Sequence, residues 1–191
     1  DAGAARGPVD AVILAVPPAQ AIELLAGHSR LAELASRCSM SPCWAVMLGF
    51  DDPIATPYDA AFIRGSALAW VARNSSKPGR SAAEAWILHA GSDWSAAHID
   101  DSPKIITAAL IAEFQRLLGG DARQPAHVAA HRWRYALPPE PLQVDALWDA
   151  KARLAMSGDW CQGARIEGAF LSGLAAAGNV LGVAIRSFGN A

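Results

Sequence analysis

The order of apolar and polar residues changes character twice along the chain. Val9 to Val16 (VDAVILAV) is a near-continuous apolar run, the pattern of a strand covered on both faces in a parallel sheet. It stops at Pro17-Pro18. The following AQAIELLAG puts Ala21, Leu24 and Leu25 on one helical face, with Gly27 as the stop. RLAELASR, residues 30–37, predicts a second short helix. From Met40 to Tyr135 the apolar runs shorten. In CWAVMLGFD, Trp44, Val46 and Leu48 fall on one side and Ala45, Met47 and Gly49 on the other. AAFIRG, LAWVARN and EAWILHAG are rich in Trp, Ile and Val and are bounded by Pro, Gly, Asp or Asn. Such runs at short spacing predict an antiparallel meander.

One clear helix interrupts them. SPKIITAALIAEFQRLLGG offers Ser102 as N-cap, Pro103 at the first helical position, and an apolar face of Ile106, Leu110, Phe114, Leu117 and Leu118 before Gly119 and Gly120. AHVAAHRWRYAL reads as a strand ending at Pro138-Pro139. LWDAKARLAM fits either a loop with an amphipathic turn or a strand leading into Ser157, and EGAFLSGLAAAGNVLGVAI looks helical. The expected architecture is α/β plus α+β. Residues 1–37 and 141–191 form a discontinuous, partial Rossmann-like domain, and residues 38–140 form an inserted antiparallel-sheet domain.

Composition narrows the function classes. The chain has 191 residues, 52% of them hydrophobic and 18% charged, with a net charge of −2. That supports a sizeable core and argues against nucleic acid as a partner, since phosphate binding needs a basic surface. No uncharged apolar stretch of membrane-spanning length precedes the Ala-rich tail, which Gly and Asn interrupt, so no membrane association is expected. No basic segment precedes a short apolar core of leader type. Cys38, Cys43 and Cys161 are sparse and odd in number, which suits free thiols in a reducing cytoplasm.

The stretch with the most chemistry is GDWCQGARIEGAFLSG, from Gly158. A glycine–aspartate pair at a strand end places a carboxylate where a sugar or ribityl hydroxyl can donate to it. RIEGA then opens a helix, whose first amides are unpaired and carry the positive end of the dipole. That end suits a phosphate or the carbonyl edge of a ring on which negative charge builds. Gly163 and Gly168 permit close backbone approach. An ordinary glycine-rich strand-to-helix turn is the alternative reading of the same residues.

GDW…ARIEGAFLSG resembles the C-terminal flavin motif of the FAD-dependent amine oxidase superfamily. With VILAVPPAQA, CWAVMLGF, LAWVARNSSKPGR, EAWILHAGSDWS and AHRWRYALP in the same order, the chain resembles bacterial renalase-like oxidoreductases. The resemblance implies FAD, with Asp159 at the ribityl or pyrophosphate region. It implies that Arg165, Ile166 and Glu167 lie beside the pyrimidine edge, that Gly158, Trp160 and Ala169 also belong to the cofactor-binding set, and that Val16 and Pro17 lie near the adenosine side. It also implies oxidation of an isomeric dihydronicotinamide nucleotide, with oxygen as acceptor. Amine oxidation on the same scaffold and an inert substrate-binding fragment are the alternatives. No GxGxxG loop occurs in the sequence, so the expectation is a C-terminal portion lacking the first βαβ unit, with self-association through the apolar face thereby left open.

Five further residues are candidates for substrate contact. Asn74 and Lys77 lie in the polar loop RNSSKPGR and offer donors to a phosphate. Trp86 offers a stacking ring, as do Trp70 and Trp160, and His89 and His131 suit the substrate face of the ring system. His127 and His131 have helical metal-pair spacing, but on the strand predicted here they stand about 13 Å apart, so no metal site is expected. Cys161 inside the flavin motif raises covalent flavin attachment as a minor alternative.

Overall fold

The computed structural model describes residues 7–25, 29–81, 83–120 and 123–183. The chain divides into two compact units, one from Asp1–Met40 with Leu137–Ala191 and one from Ser41–Ala136.

In the first unit, β1 (Val12–Leu14) is followed by α1 (Pro18–Leu24) and α2 (Ser29–Ala35). Pro17 is the N-cap of α1 and Pro18 its first residue, where the missing N–H costs nothing. Gly27 lies outside the described residues. The ambiguous stretch before Ser157 forms β7 (Leu147–Asp149) and β8 (Leu154–Met156), an antiparallel pair. β1 runs parallel to β8, giving the order β1-β8-β7. The parallel pairing is as expected, but the double cover is not: Val12 and Ile13 are 39% and 41% exposed. α5 (Asp159–Gln162) and α6 (Ile166–Leu181) complete the described part of the unit. Its core joins Ala21, Leu25, Leu31, Ala35, Cys38, Leu147, Met156, Trp160 and Cys161.

The second unit holds a five-stranded sheet of β2 (Ser41–Phe50), β3 (Ala60–Phe62), β4 (Leu68–Arg73), β5 (Glu84–Ala90) and β6 (His127–Leu137). The order is β3-β4-β5-β2-β6. This departs from a simple meander, because β2 sits between β5 and β6. A Cβ built on Gly49, near the end of β2, falls 3.2 Å from the Cβ of His127, at the start of β6. Overlap of these neighbouring strands therefore requires them to run in opposite senses.

α3 (Ser92–Ala97) and α4 (Pro103–Leu117) belong to the same unit. Ser102 caps α4 by accepting from the Ile105 amide, and Ile106, Leu110 and Phe114 are buried. They meet Trp44, Val46, Leu48, Phe50, Val71, Trp86 and Leu88 in one apolar cluster. α3 has six residues, too short for its periodicity to stand out from the flanking strands. Its Ser95 hydroxyl accepts from the Trp44 amide inside the core.

Candidate functional site

The sequence from β8 to α6 is a strand, one turn of helix and a long helix. Ser157 and Gly158 leave β8, and α5 begins at Asp159. The turn is tied to the following helix by Ser172 of α6, whose hydroxyl accepts from the Gly158 amide at 3.1 Å. A Cβ on Gly158 would meet the Trp160 ring at 2.5 Å, and one on Gly168 would meet the Gly163 carbonyl oxygen at 2.3 Å. Both glycines are therefore required by close contacts within the protein itself. The Trp160 indole is 1% exposed and donates through Nε1 to the Val16 carbonyl at 3.2 Å. This bond joins the segment before α1 to the turn after β8.

α6 starts openly. Its N-cap, Arg165, provides no side-chain cap, and the Ala169 amide donates to the Arg165 carbonyl. The amides of Ile166, Glu167 and Gly168 precede this first helical bond and have no intrahelical acceptor. Arg165, Glu167 and Ala169 are exposed, and Ile166 is 92% exposed. An uncapped amide cluster at the positive end of a 16-residue helix favours negative charge.

Asp159 is half-buried, and burial raises its carboxyl above the ordinary 3.8, against the lowering effect of amide hydrogen bonds. A half-buried carboxyl whose charge is penalised is a candidate for a functional role. Cys161 is wholly buried, and burial pushes its thiol up to about 11. A thiol so raised is inert as a nucleophile, which disfavours covalent attachment there.

The donor set fits the group that the resemblance implies. Open first-turn amides match an electron-rich ring edge. Gly163 has nothing within 4 Å of where a side chain would begin, which leaves room beside the loop. The Asp159 carboxyl suits a hydroxyl-bearing chain. Within this unit the structure brings together Val16, Gly158, Asp159 and Trp160, while Arg165 to Ala169 stand at the mouth of α6. Pro17 serves as the cap of α1.

The candidates of the second unit part company. Trp86 faces the core, 1% exposed, and donates through Nε1 to the buried Glu84 carboxylate at 2.7 Å. Arg73 lies over its ring at 5.1 Å and donates to the carbonyl of Ile54 and the hydroxyl of Thr56. That indole is thus a structural element beneath the sheet. Asn74 begins a short 3-10 turn after β4, and Lys77 caps it. His89 lies on the sheet face opposite α4, beside Trp70, at a ring-centroid distance of 5.0 Å. His131 lies on the strand β6 against Trp133, at 4.3 Å. The Trp70–His89 pairing was not legible beforehand, whereas the His131–Trp133 pairing follows from their spacing. Trp133 shares a strand face with His131 by simple alternation, but Trp70 meets His89 through the register of β4 and β5. Among the described residues no group of three metal-binding side chains comes together, and no helix is long and apolar enough to cross a membrane.

The family model described as flavin-containing amine oxidoreductase matches residues 2–181, and the chain belongs to that family. Solved structures share the fold. "Putative protoporphyrinogen oxidase from Exiguobacterium sp. 255-15" is 15% identical with a TM-score of 0.71, the match covering 91% of this chain and 41% of that one. Cyclohexylamine oxidase from Brevibacterium oxydans IH-35A is 16% identical with a TM-score of 0.65, covering 88% and 42%. A reduced UDP-galactopyranose mutase is 13% identical with a TM-score of 0.62, covering 93% and 42%. The chain thus spans about two fifths of the length of these neighbours. A mutase beside two oxidases shows that the fold does not fix the reaction.

Two outcomes are expected of this site. Gly168→Ala drives a methyl into backbone and lowers stability by about 1–3 kcal/mol, whereas Gly173→Ala, with open space around it, raises stability by about 0.5–1 kcal/mol. Denaturant melts of the two variants make the comparison. For Asp159, a folded pKa above the unfolded value means that its contribution is full below 3.8 and is lost as pH rises through the raised value. Asp159→Asn is therefore more stable than wild type at neutral pH, with the gain disappearing in acid. A constant difference across the pH range would refute this account of the carboxyl.

Proposed function

We propose that this chain acts within an FAD-dependent oxidoreductase of renalase-like type, which oxidises isomers of NAD(P)H and passes the electrons to oxygen. The observation that carries the reading is the uncapped start of α6 beside the half-buried Asp159 carboxyl. FAD, when bound, supplies the two-electron acceptor. The protein's part is electrostatic and steric. The amides of Ile166, Glu167 and Gly168 stabilise negative charge at the ring edge set against them, and Asp159 accepts a hydroxyl hydrogen bond. Trp160, fixed by the Val16 carbonyl, holds the turn that carries both. In the sheet domain, Asn74 and Lys77 are the candidate contacts for the donor's phosphates, and His89 and His131, not Trp86, are the candidates for its ring, since Trp86 is in the core. Such a reaction needs no acidic or basic side chain at the reacting carbon. The reducing cytoplasm is the compartment that its free thiols suit.

Amine oxidation is the second reading, favoured by the likeness to cyclohexylamine oxidase and to a putrescine oxidase, the latter at 17% identity and a TM-score of 0.58. Anaerobic mixing separates the two. The yellow holoprotein is expected to bleach with isomeric dihydronicotinamides and to stay yellow with cyclohexylamine or putrescine. Hydrogen peroxide should form when oxygen is readmitted. Bleaching by the amines alone replaces the first reading with the second, and a colourless protein that ignores added FAD supports an inert substrate-binding domain.

The exposed Val12 and Ile13 lie on β1, an edge strand of its sheet. An apolar edge of this kind favours association between copies. Sedimentation of the 191-residue chain is expected to show mass rising with concentration, and a strict monomer throughout contradicts it.

A further inference from the structure

Ser172 carries the one hydroxyl on the buried face of α6, between Gly168 and Ala176, and it is wholly buried. A hydroxyl in such a place costs free energy unless it is bonded, and alanine would fill nearly the same space without that cost. This hydroxyl accepts from the Gly158 amide at 3.1 Å. Burial raises the Cys161 thiol, and a hydrogen bond from the Ser172 side chain acts against that rise. A serine hydroxyl has one donor and two acceptor positions, so both bonds can be made at once. They reach the residues on either side of Asp159 and Trp160. Asp159 follows Gly158 directly, while the open amides of Ile166, Glu167 and Gly168 lie on the helix that carries Ser172. A rise of about 1.5 Å per residue puts Ser172 roughly 9 Å along the axis from Ile166. The covalent route from carboxyl to amides leaves α5 and passes through Gly163, Ala164 and Arg165, outside both helices. The Ser172 bond is a second route, through the stiff body of α6.

We infer that Ser172 is a positioning residue for FAD: by holding the Gly158 amide from inside α6, it fixes the Asp159 carboxyl and the first amides of the helix at one spacing, so that a single molecule engages both. The inference rests on the FAD part of the proposed function and not on the identity of the electron donor. Its basis is preorganisation. Two contacts held in register act as one divalent site, and their joint effect is lost when the spacing is free to vary. The hydroxyl is buried and itself meets no ligand. Its effect is therefore confined to ligands long enough to use both contacts.

The test is fluorescence titration of the full chain with FAD and with lumiflavin, an isoalloxazine ring that carries a methyl group in place of the ribityl chain. FAD can span the carboxyl and the amides, whereas lumiflavin can meet the amides alone. Wild type is expected to bind FAD more tightly than lumiflavin. Ser172→Ala should weaken FAD about tenfold, the order of one hydrogen bond's free energy, and leave lumiflavin within about twofold. Ser172→Cys, close in size and able to hydrogen-bond weakly, should recover part of the loss. Asp159→Ala should weaken FAD in wild type and by much less in the Ser172→Ala background, because the two losses share one cause. Should Ser172→Ala fail to fold by circular dichroism, the same comparisons are made with Ser172→Cys, for which a smaller FAD-selective loss is expected. Equal losses for FAD and lumiflavin show a purely structural role and overturn the inference. Unchanged FAD binding in Ser172→Ala, or full additivity with Asp159→Ala, overturns it too. These outcomes are distinct from failure of the reading beneath. Wild type that binds neither flavin removes the FAD reading and this inference with it. FAD binding that depends on Ser172, without bleaching by any dihydronicotinamide, removes only the proposed donor.

Discussion

A helix can open towards a ligand only if something else fixes its position, and here that fixing is done by two places without side chains. Gly168 lets α6 lie against the Gly163 carbonyl, and Gly158 lets the Trp160 indole fold back over its own turn. Ser172 then ties the turn to the helix through one hydrogen bond. With α6 anchored on its buried side at Gly168, Ser172 and Ala176, its first amides need no cap of their own. The cost of leaving donors uncapped is borne by packing elsewhere in the helix. Filling either glycine would move the amides, and the site with them.

The same economy accounts for the odd state of Asp159. The carboxyl enters a partly apolar setting because Trp160 and Cys161, its neighbours in α5, are buried in the core. Burying those two residues forces the aspartate to the margin of the core, where its charge is disfavoured. The thiols of Cys38 and Cys161 feel the same setting and are raised with it. Ionisable groups thus share one low-polarity neighbourhood, and only the carboxyl stays accessible enough to meet a ligand.

Much of this was legible in the residues. α4 announced itself through Ser102, Pro103 and an apolar face at helical spacing, and the structure uses each of them. The strands around Trp44, Trp70 and Trp86 were visible from alternation and punctuation. Strand order was not, because the insertion of β2 between β5 and β6 depends on pairings far apart in sequence. The cover of β1 was misjudged for a related reason: an apolar run records what a strand is made for, while its exposure depends on which elements stand beside it. Trp86 illustrates the limit for site residues. Alternation along β5 puts Trp86 and His89 on opposite faces, but only the packing of α4 says which of those faces is core. The motif from Gly158 to Phe170 carried the most information, since glycine, acid and helix start fall in an order with a physical use.

The order of strands in the second unit has one more consequence. Its first strand, β2, and its last, β6, are neighbours running in opposite senses. Chain entry at Ser41 and exit at Ala136 therefore lie at the same end of the sheet, side by side. A module with adjoining ends can be cut out and its stumps rejoined by a short linker, or exchanged for a relative's, without stretching the host's backbone. The sheet module and the unit that carries α6 are thereby separable inheritances, free to be recombined by genetic grafting.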